Sequence, residues 1–212
     1  MGEKQAEMVT DAVAARRKCF VDAAAASFFE HGYAGTTMSS IAQRVGGSKT
    51  TLWSYFPAKE QLFAAVVDDI VDIYGTALQM DLPLDVPVMT VLETFANALV
   101  DSLLQPPIMS LHRLVSGEAG RFPHLAQLFY DRGPKRGRQR LTDYMAAKMQ
   151  QAELRAGDPS AASQQFFGLC QASIYEYTVL NMPLDENGGR VKIEADLSLA
   201  LDSFGRAWAV KG

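Results

Sequence analysis

Residues 36–62 of this chain are TTMSSIAQRVGGSKTTLWSYFPAKEQL. Apolar side chains at helical spacing predict two short helices here, Met38 to Val45 and Lys49 to Phe56. Between them lies Gly46-Gly47, and glycine adopts positive φ without steric cost, so the chain can turn sharply at this point. Two helices of this length joined by a glycine-containing turn predict a helix-turn-helix.

The sequence also indicates how the two short helices begin and which side chains they expose. Thr37 and Ser48 precede them, and a hydroxyl at that position can accept a hydrogen bond from a free backbone N–H group. In a helix-turn-helix the second helix lies in the major groove of DNA and leads with its N-terminal residues. Here those residues are Ser48, Lys49, Thr50 and Thr51. Leu52 and Phe56 are four apart and are predicted to face the protein interior.

Further helices are predicted on both sides of this motif. On the N-terminal side, the residues at helical spacing within 12–31 are Val13, Arg16, Phe20, Ala24 and Phe28. Gly32 is a helix stop, and Pro57 suits the first turn of a fourth helix that is predicted to end near residue 80. Later amphipathic segments are predicted near 88–104, 107–118, 122–130, 134–155, 159–181 and 193–210.

The predicted fold class is therefore all-α, with two domains. We predict a three-helix DNA-binding domain at 1–60, with its recognition helix at about 48–56, and an effector-binding and dimerisation domain at 61–212. A helix at about 58–80 is expected to connect the two. The segment Asp81 to Pro87, which contains two prolines, is the predicted boundary, and Gly188-Gly189 is a predicted break further on.

Residues 28–62 resemble the DNA-binding domain of TetR-family transcriptional regulators. The matching positions are Phe28, His31-Gly32-Tyr33, Thr36-Thr37, Ile41-Ala42, Gly46, Ser48, Leu52, Trp53, Tyr55, Phe56, Lys59 and Leu62. The resemblance implies a homodimeric repressor that a small molecule releases from a palindromic operator in double-stranded DNA. The predicted DNA contacts are Thr36, Thr37, Ser48, Lys49, Thr50, Thr51, Trp53, Ser54, Tyr55 and Lys59.

Two positions depart from the family pattern. Gly47 stands where the family has a hydrophobic residue, which predicts a looser seat for the recognition helix. Trp53 replaces the commoner tyrosine, but its indole N–H can still donate to a phosphate oxygen. Core packing is the alternative for Trp53 and Tyr55, although other side chains of this helix already take the core positions. Lys59 is alternatively an ordinary solvated lysine, and Thr36 a turn residue.

Residues 111–130 resemble the AefR-like branch of the family, which is often linked to efflux and stress genes. By this resemblance the helices near 159–181 and 193–210 form the dimer interface, with the apolar residues Phe166, Phe167, Leu169, Ile174, Leu197, Leu201, Phe204 and Trp208. A hydrophobic effector is expected between helices of the same domain. The candidate effector residues are Met109, His112, Phe129, Phe167, Cys170 and Tyr175, for each of which plain core packing is the alternative. For His112, a partnership with Glu118 is another.

The net charge of −4 is distributed unevenly. Residues 1–60 hold seven Lys and Arg against six Asp and Glu, and residues 61–212 hold thirteen against eighteen. DNA binding needs basic groups on one face rather than a basic total, so the acidic balance does not exclude it. With no apolar stretch near the roughly 20 residues of a membrane span, no secretory signal and only Cys19 and Cys170, a cytoplasmic protein is expected.

Two other classes of function compete with this interpretation. An enzyme is disfavoured because the three histidines lack metal-ligand spacing and no nucleophile or phosphate-binding motif is present, so no catalytic residue, metal or cofactor is predicted. A helical adaptor would not need the polar edge at residues 48–51, and salt-sensitive DNA binding distinguishes it from a regulator. The basic run from Arg132 to Arg140 is either a second nucleic-acid patch or, as we favour, a solvated helix start.

Overall fold

The computed structural model describes residues 2–185 and 189–210, with side chains from Thr10 onward. In this part of the chain every regular element is a helix, which confirms the predicted all-α class. The helices are α1 Gly2–Gly35, α2 Met38–Arg44, α3 Lys49–Tyr55, α4 Lys59–Tyr74, α5 Val88–Leu103, α6 Pro106–Glu118, α7 Pro123–Arg132, α8 Pro134–Gln150, α9 Pro159–Ala172, α10 Tyr175–Thr178 and α11 Gly189–Trp208. A short 3₁₀ helix, Thr76–Leu78, follows α4.

These helices form two compact units. The first holds the residues up to Ile70 together with Leu114–Phe129, and the second holds Val71–Arg113 and the residues from Tyr130 onward. The division falls inside α4, so the helix predicted to connect two domains contributes to both units. The functional boundary expected near residue 60 stays a prediction, and the segment Asp81 to Pro87 lies inside the second unit.

The first unit is built around α1. Its apolar face buries Phe20, Ala24 and Phe28, as the spacing predicts, whereas Val13 is exposed. At Gly32 the backbone leaves the helical region, with φ 72° and ψ 170°, which confirms the predicted stop. That conformation favours glycine because it has no Cβ to clash with its own backbone. The chain can therefore reverse direction and lead into α2.

The second unit has a core formed by α5, α8, α9 and α11, with the rings of Phe95, Phe166 and Phe204 among its buried side chains. Ring centroids of Phe95 and Phe166 are 6.1 Å apart, and those of Phe166 and Phe204 are 5.2 Å apart. Aromatic pairs at these separations add to the free energy gained by burying their surface. The core therefore fixes the relative positions of four helices.

Several helix ends in the second unit differ from the sequence prediction. The helix expected to reach residue 80 ends at Tyr74, and the following 3₁₀ helix is held by Arg140, which donates to the carbonyl groups of Ala77 and Leu78. The segment predicted at 134–155 ends at Gln150, and the one predicted at 159–181 breaks after Ala172. The last helix starts at Gly189 rather than near 193, and Gly188 lies outside the described residues. Long-range hydrogen bonds such as those of Arg140 leave no local signal in the sequence.

A buried lysine holds the segment before α5. Lys148 on α8 is fully buried, and its Nζ donates to the carbonyl oxygens of Leu84 at 3.1 Å and Val86 at 2.8 Å. It also lies 2.7 Å from Oε1 of Glu153. The other carboxylate oxygen of Glu153 accepts a hydrogen bond from the backbone N–H of Val88. All three donor positions of the ammonium group are thus used, which offsets the cost of burying its charge.

Candidate nucleic-acid interface

Side-chain hydroxyl groups begin both helices of the helix-turn-helix, as predicted. Thr37 precedes α2, where its Oγ1 accepts from the backbone N–H of Ser40 at 3.1 Å and the Ser40 hydroxyl accepts from the Thr37 N–H. Ser48 precedes α3, and its Oγ accepts from the backbone N–H of Thr51 at 3.1 Å. These bonds satisfy backbone donors that a short helix would otherwise leave unpaired. The start of each helix is therefore fixed by the sequence next to it.

We expect Ser48→Ala to lower the free energy of unfolding by about 1 kcal/mol, because α3 loses its N-terminal cap. The effect is measured by urea denaturation followed by circular dichroism. Ser39→Ala is the matched control, since Ser39 is a serine inside α2 and is not its cap. Equal stability of the Ser48→Ala variant and the wild type would contradict the capping role.

The orientation of α3 separates inward from outward side chains. Leu52 is 0% and Phe56 3% exposed, so both face the interior as predicted. Trp53 lies between them in sequence and is 53% exposed. We use the term recognition surface for the exposed side chains of Thr37, Ser48, Lys49, Thr50 and Trp53. Its groups are hydroxyls, an ammonium and an indole N–H, all of which can donate to phosphate oxygens.

Three predicted contacts have other roles in the structure. Thr36 is 1% exposed and its hydroxyl donates to the carbonyl oxygens of Ser27 and Gly32, so its side chain belongs to the interior and we leave it out of the recognition surface. Tyr55 is half-buried with its ring 5.6 Å from that of Phe20. Thr51 is also half-buried and lies 2.8 Å from the Ser48 hydroxyl.

Two further predicted contacts, Ser54 and Lys59, differ in exposure. Ser54 is exposed, although its hydroxyl donates to the carbonyl of Thr51. Lys59 is half-buried, and its ammonium donates to the carbonyl oxygens of Tyr33 at 2.8 Å and Thr36 at 2.9 Å. The same group lies 4.1 Å from the centre of the Tyr33 ring. Desolvation lowers the pKa of Lys59 despite the nearby Glu118 and Glu60 carboxylates. Lys59 therefore joins the start of α4 to the end of α1.

Some basic side chains of the first unit are already paired with carboxylates of the same unit. Arg44 is paired with Glu30 at 2.8 Å, and Lys18 with Asp22. By contrast, the side chains that the structure describes include no acidic partner for Lys49. A cation without an internal partner can neutralise a phosphate without first breaking an ion pair.

Two arginines of α1 were not predicted as part of the site. The guanidinium of Arg16 lies 5.0 Å from the centre of the Phe20 ring, and that of Arg17 lies 5.0 Å from the centre of the Phe56 ring. The sequence did carry a signal for the first pair, because residues four apart on a helix are neighbours. The spacing predicted a helix and assigned no role to Arg16, which is half-buried in the structure.

The six candidate effector residues differ in burial and do not line one common pocket among those described. Phe167 and Cys170 are buried in the core of the second unit, and burial raises the pKa of the Cys170 thiol to about 12. Such a thiol is protonated at neutral pH and is a poor nucleophile. Met109 and His112 are half-buried on α6, where burial lowers the pKa of His112 to about 4. Tyr175 is largely exposed.

The last of the six, Phe129, is half-buried and belongs to the first unit, unlike the other five. A groove of about 750 Å³ between α5 and α11 contains none of the six. It is lined by Met89, Thr90, Glu93, Asn97, Glu194, Leu197, Ser198, Leu201, Asp202, Gly205 and Arg206. The effector residues therefore stay a prediction.

Five of the eight predicted dimer residues need correction, whereas Leu169, Leu201 and Trp208 are half-buried and stay a prediction. These five side chains are buried within their own chain and are not available to a partner chain: Phe166, Phe167, Ile174, Leu197 and Phe204. Other apolar side chains of the same region are exposed instead: Tyr175, Leu180, Met182, Val191 and Leu199. A second groove of about 390 Å³ between α9 and α11 includes Leu199. The amphipathic pattern predicted the helices. It did not predict which face of each helix remains exposed after the chain has packed its own core.

The basic run from Arg132 to Arg140 is mostly engaged within the protein. Lys135 pairs with Asp131 at 2.8 Å, Arg138 lies over the Tyr130 ring, and Arg140 donates to backbone carbonyl groups. Among the described residues, no group of three side chains could hold a metal ion, and no helix is long and apolar enough to span a membrane.

Comparison with protein families gives two matches that together cover most of the chain. Residues 20–66 match the family described as bacterial regulatory proteins, tetR family. Residues 90–203 match the C-terminal domain of AefR-like transcriptional repressors. The first match contains the helix-turn-helix, and the second contains α6 to α10, with most of α5 and α11.

Individual proteins show the same similarity. The HTH-type transcriptional regulator RutR of Escherichia coli K12 is 44% identical over 68 residues, which are 32% of this chain and 32% of RutR, so the chain aligns with about a third of this curated relative. The flavonoid-responsive regulator FrrA is 30% identical in a structural match that covers 94% of this chain and 100% of FrrA, with a TM-score of 0.77. SmeT, the repressor of the Stenotrophomonas maltophilia multidrug efflux pump SmeDEF, has the same fold, with 20% identity, a TM-score of 0.67, and coverage of 92% and 91%.

Proposed function

Since this chain belongs to the TetR family of bacterial transcriptional regulators, we propose that it is a DNA-binding repressor released from a palindromic operator by a small molecule. A repressor of this kind acts on the chromosome, so its place of action is the cytoplasm. The observation that carries the proposal is the recognition surface. Most of its polar side chains lie at α3, whose Leu52 and Phe56 are buried, and among the side chains that the structure describes Lys49 has no acidic partner.

The contacts with DNA divide by chemistry. Lys49 and the hydroxyl groups of Thr37 and Thr50 bind phosphate oxygens or base edges, while Trp53 donates from its indole N–H to the backbone. Ser48 and Thr51 fix the start of α3. Lys59 acts as a positioning residue, because its ammonium already donates to the carbonyl oxygens of Tyr33, near the end of α1, and of Thr36, just after it. Threonine and serine discriminate poorly between bases, so these residues set the position of α3 more than the operator sequence.

The functional form is a homodimer in this proposal. A palindromic operator presents two half-sites about 34–36 Å apart, and only a twofold-symmetric protein contacts both. Helices α9 and α11 supply the interface, with Leu199 and Val191 as exposed apolar side chains on α11. Covering them removes apolar surface from water, which favours association.

The proposed effector is a small, largely apolar molecule that binds within the second unit. The 30% identity over nearly the whole chain with a regulator named as flavonoid-responsive supports a small-molecule signal. Coupling between effector and DNA sites in such proteins is worth about 1–3 kcal/mol, enough for a 5- to 150-fold change in affinity. The identity of the molecule follows from screening once the operator is known.

The test is recovery of DNA fragments from sheared genomic DNA of the source organism by the purified protein, at low and high salt. We expect selective recovery of a few fragments with palindromic sequences, weakened by salt because phosphate contacts release counterions. Lys49→Ala is expected to weaken recovery about tenfold, through loss of one charged contact per subunit. Lys135→Ala is the matched control, since Lys135 is an exposed lysine at the start of α8, outside the recognition surface and the proposed dimer interface. Recovery of no fragment at any salt concentration would rule out the proposed function.

A further inference from the structure

Arg16 occupies the space that a side chain at position 47 would fill. A Cβ placed on Gly47 would lie 2.8 Å from Nη2 of Arg16, too close for two non-bonded atoms. The same Cβ would make ordinary contacts of 3.6 and 3.7 Å with the Phe20 ring, on which the guanidinium lies. Arg16 precedes residues 20–66, so the family match assigns it no role.

The backbone does not explain why position 47 is glycine. The glycines with positive φ in the described part of the chain are Gly32 and Gly46, and Gly47 is not among them. An ordinary residue can therefore adopt the conformation of Gly47, and its nearest obstacle is the end of the Arg16 side chain. The departure from the hydrophobic residue of the family pattern is thus matched by an arginine that fills the vacated space.

The position of this guanidinium places a positive charge beside the recognition surface. Gly47 immediately precedes Ser48, the residue that caps α3. Arg16 is half-buried, and no acidic group among the described side chains pairs with it. The Phe20 ring limits the conformations of the side chain, so less entropy is lost when its N–H groups bind an acceptor. Guanidinium groups bind phosphate oxygens strongly, with more than one N–H directed to the same group.

We propose that Arg16 is an additional DNA-contacting residue, which fills the space at Gly47 and donates to a backbone phosphate beside the recognition surface. Through its contact with the Phe20 ring, Arg16 helps to hold α3 in place, and its phosphate contact fixes the position of the protein on the duplex. The inference rests on the proposed function, because it requires that α3 binds DNA.

The test uses the duplex recovered by the wild-type protein as its probe. Arg16→Met removes the charge and keeps a side chain that packs on Phe20. We expect binding about tenfold weaker, as for the loss of a hydrogen bond to a charged group, and a salt-dependence slope reduced by about one for each subunit. Arg121→Met is the matched control, because Arg121 also lies over a ring, with its guanidinium 5.2 Å from the centre of Phe122, and belongs to no part of the recognition surface.

A second variant separates this contact from general damage. Gly47→Ala displaces the flexible end of Arg16, so it is expected to weaken binding as well, and the double variant should bind no more weakly than Arg16→Met alone. Wild-type affinity in Arg16→Met, weaker binding with an unchanged salt slope, or fully additive effects of the two substitutions would each overturn the inference. If the wild-type protein itself recovers no DNA, both the proposed function and this inference fail. If the wild-type protein binds DNA and Arg16→Met binds it with the same affinity, only this inference fails.

Discussion

Phe28→Ala is expected to lower the free energy of unfolding of the first unit by about 3–5 kcal/mol, as for other fully buried phenylalanines. Phe28 is 0% exposed, and its ring centroid lies 5.6 Å from that of Tyr33 and 5.5 Å from that of Phe63. Removing the ring leaves a cavity between α1 and α4 and ends two aromatic contacts. Because whole domains are stable by only about 5–15 kcal/mol, much of the first unit's stability is lost.

The effect is measured by urea denaturation, with amide hydrogen exchange to localise it. Protection is expected to fall in α1, α2 and α3, and DNA binding is expected to weaken at temperatures where the unit is partly unfolded. Val13→Ala is the matched control on the same helix, since Val13 is exposed and its truncation should change stability by less than about 0.5 kcal/mol. If Phe28→Ala also changed the free energy of unfolding by so little, Phe28 could not be part of the core of the first unit.

Glu153→Ala is expected to destabilise the second unit by about 3 kcal/mol. The substitution leaves the buried Lys148 ammonium with two carbonyl acceptors and no counterion. Breaking a buried ion pair on one side costs about 3–5 kcal/mol, and the lower end applies because the Glu153 side chain is 34% exposed. Lys148→Met removes the charge and keeps most of the volume, so its cost is smaller, about 1–2 kcal/mol for carbonyl groups that lose a donor.

The decisive result is which of the two variants has the lower free energy of unfolding, measured by urea denaturation at neutral pH. If the Lys148→Met variant proved less stable than the Glu153→Ala variant, the loss of stability in Glu153→Ala could not be attributed to an uncompensated buried charge. Lys135→Met is the control for removing a lysine, because Lys135 is an exposed lysine on the same helix as Lys148. The pH dependence gives a second check: the hydrogen bond from Lys148 lowers the pKa of Glu153. Its contribution is complete above the ordinary range of glutamate and is lost as pH falls through the lowered pKa, so the wild type loses this advantage in acid.

The helix-turn-helix could be predicted from sequence because its determinants are local. The caps Thr37 and Ser48 and the inward pair Leu52 and Phe56 act over three or four residues. Spacing therefore predicted both short helices to within one residue at their C-terminal ends.

The parts that sequence did not predict depend on distant contacts. The carbonyl partners of Lys59 lie 23 and 26 residues away, and those of Lys148 lie 62 and 64 residues away. No periodicity carries that information. Five of the eight predicted dimer residues were wrong for a related reason: an apolar residue such as Phe166 is equally suited to the chain's own core, and only the packing decides where it lies.

The central claim, that this chain binds operator DNA through α3 as a symmetric dimer, is tested most directly by hydroxyl-radical footprinting on the fragment that the wild-type protein recovers. We expect two protected segments related by twofold symmetry, with centres about 34–36 Å apart or a multiple of that distance. Lys49→Ala should lose protection in both segments together. A single protected segment, or binding without any defined protection, would contradict the account.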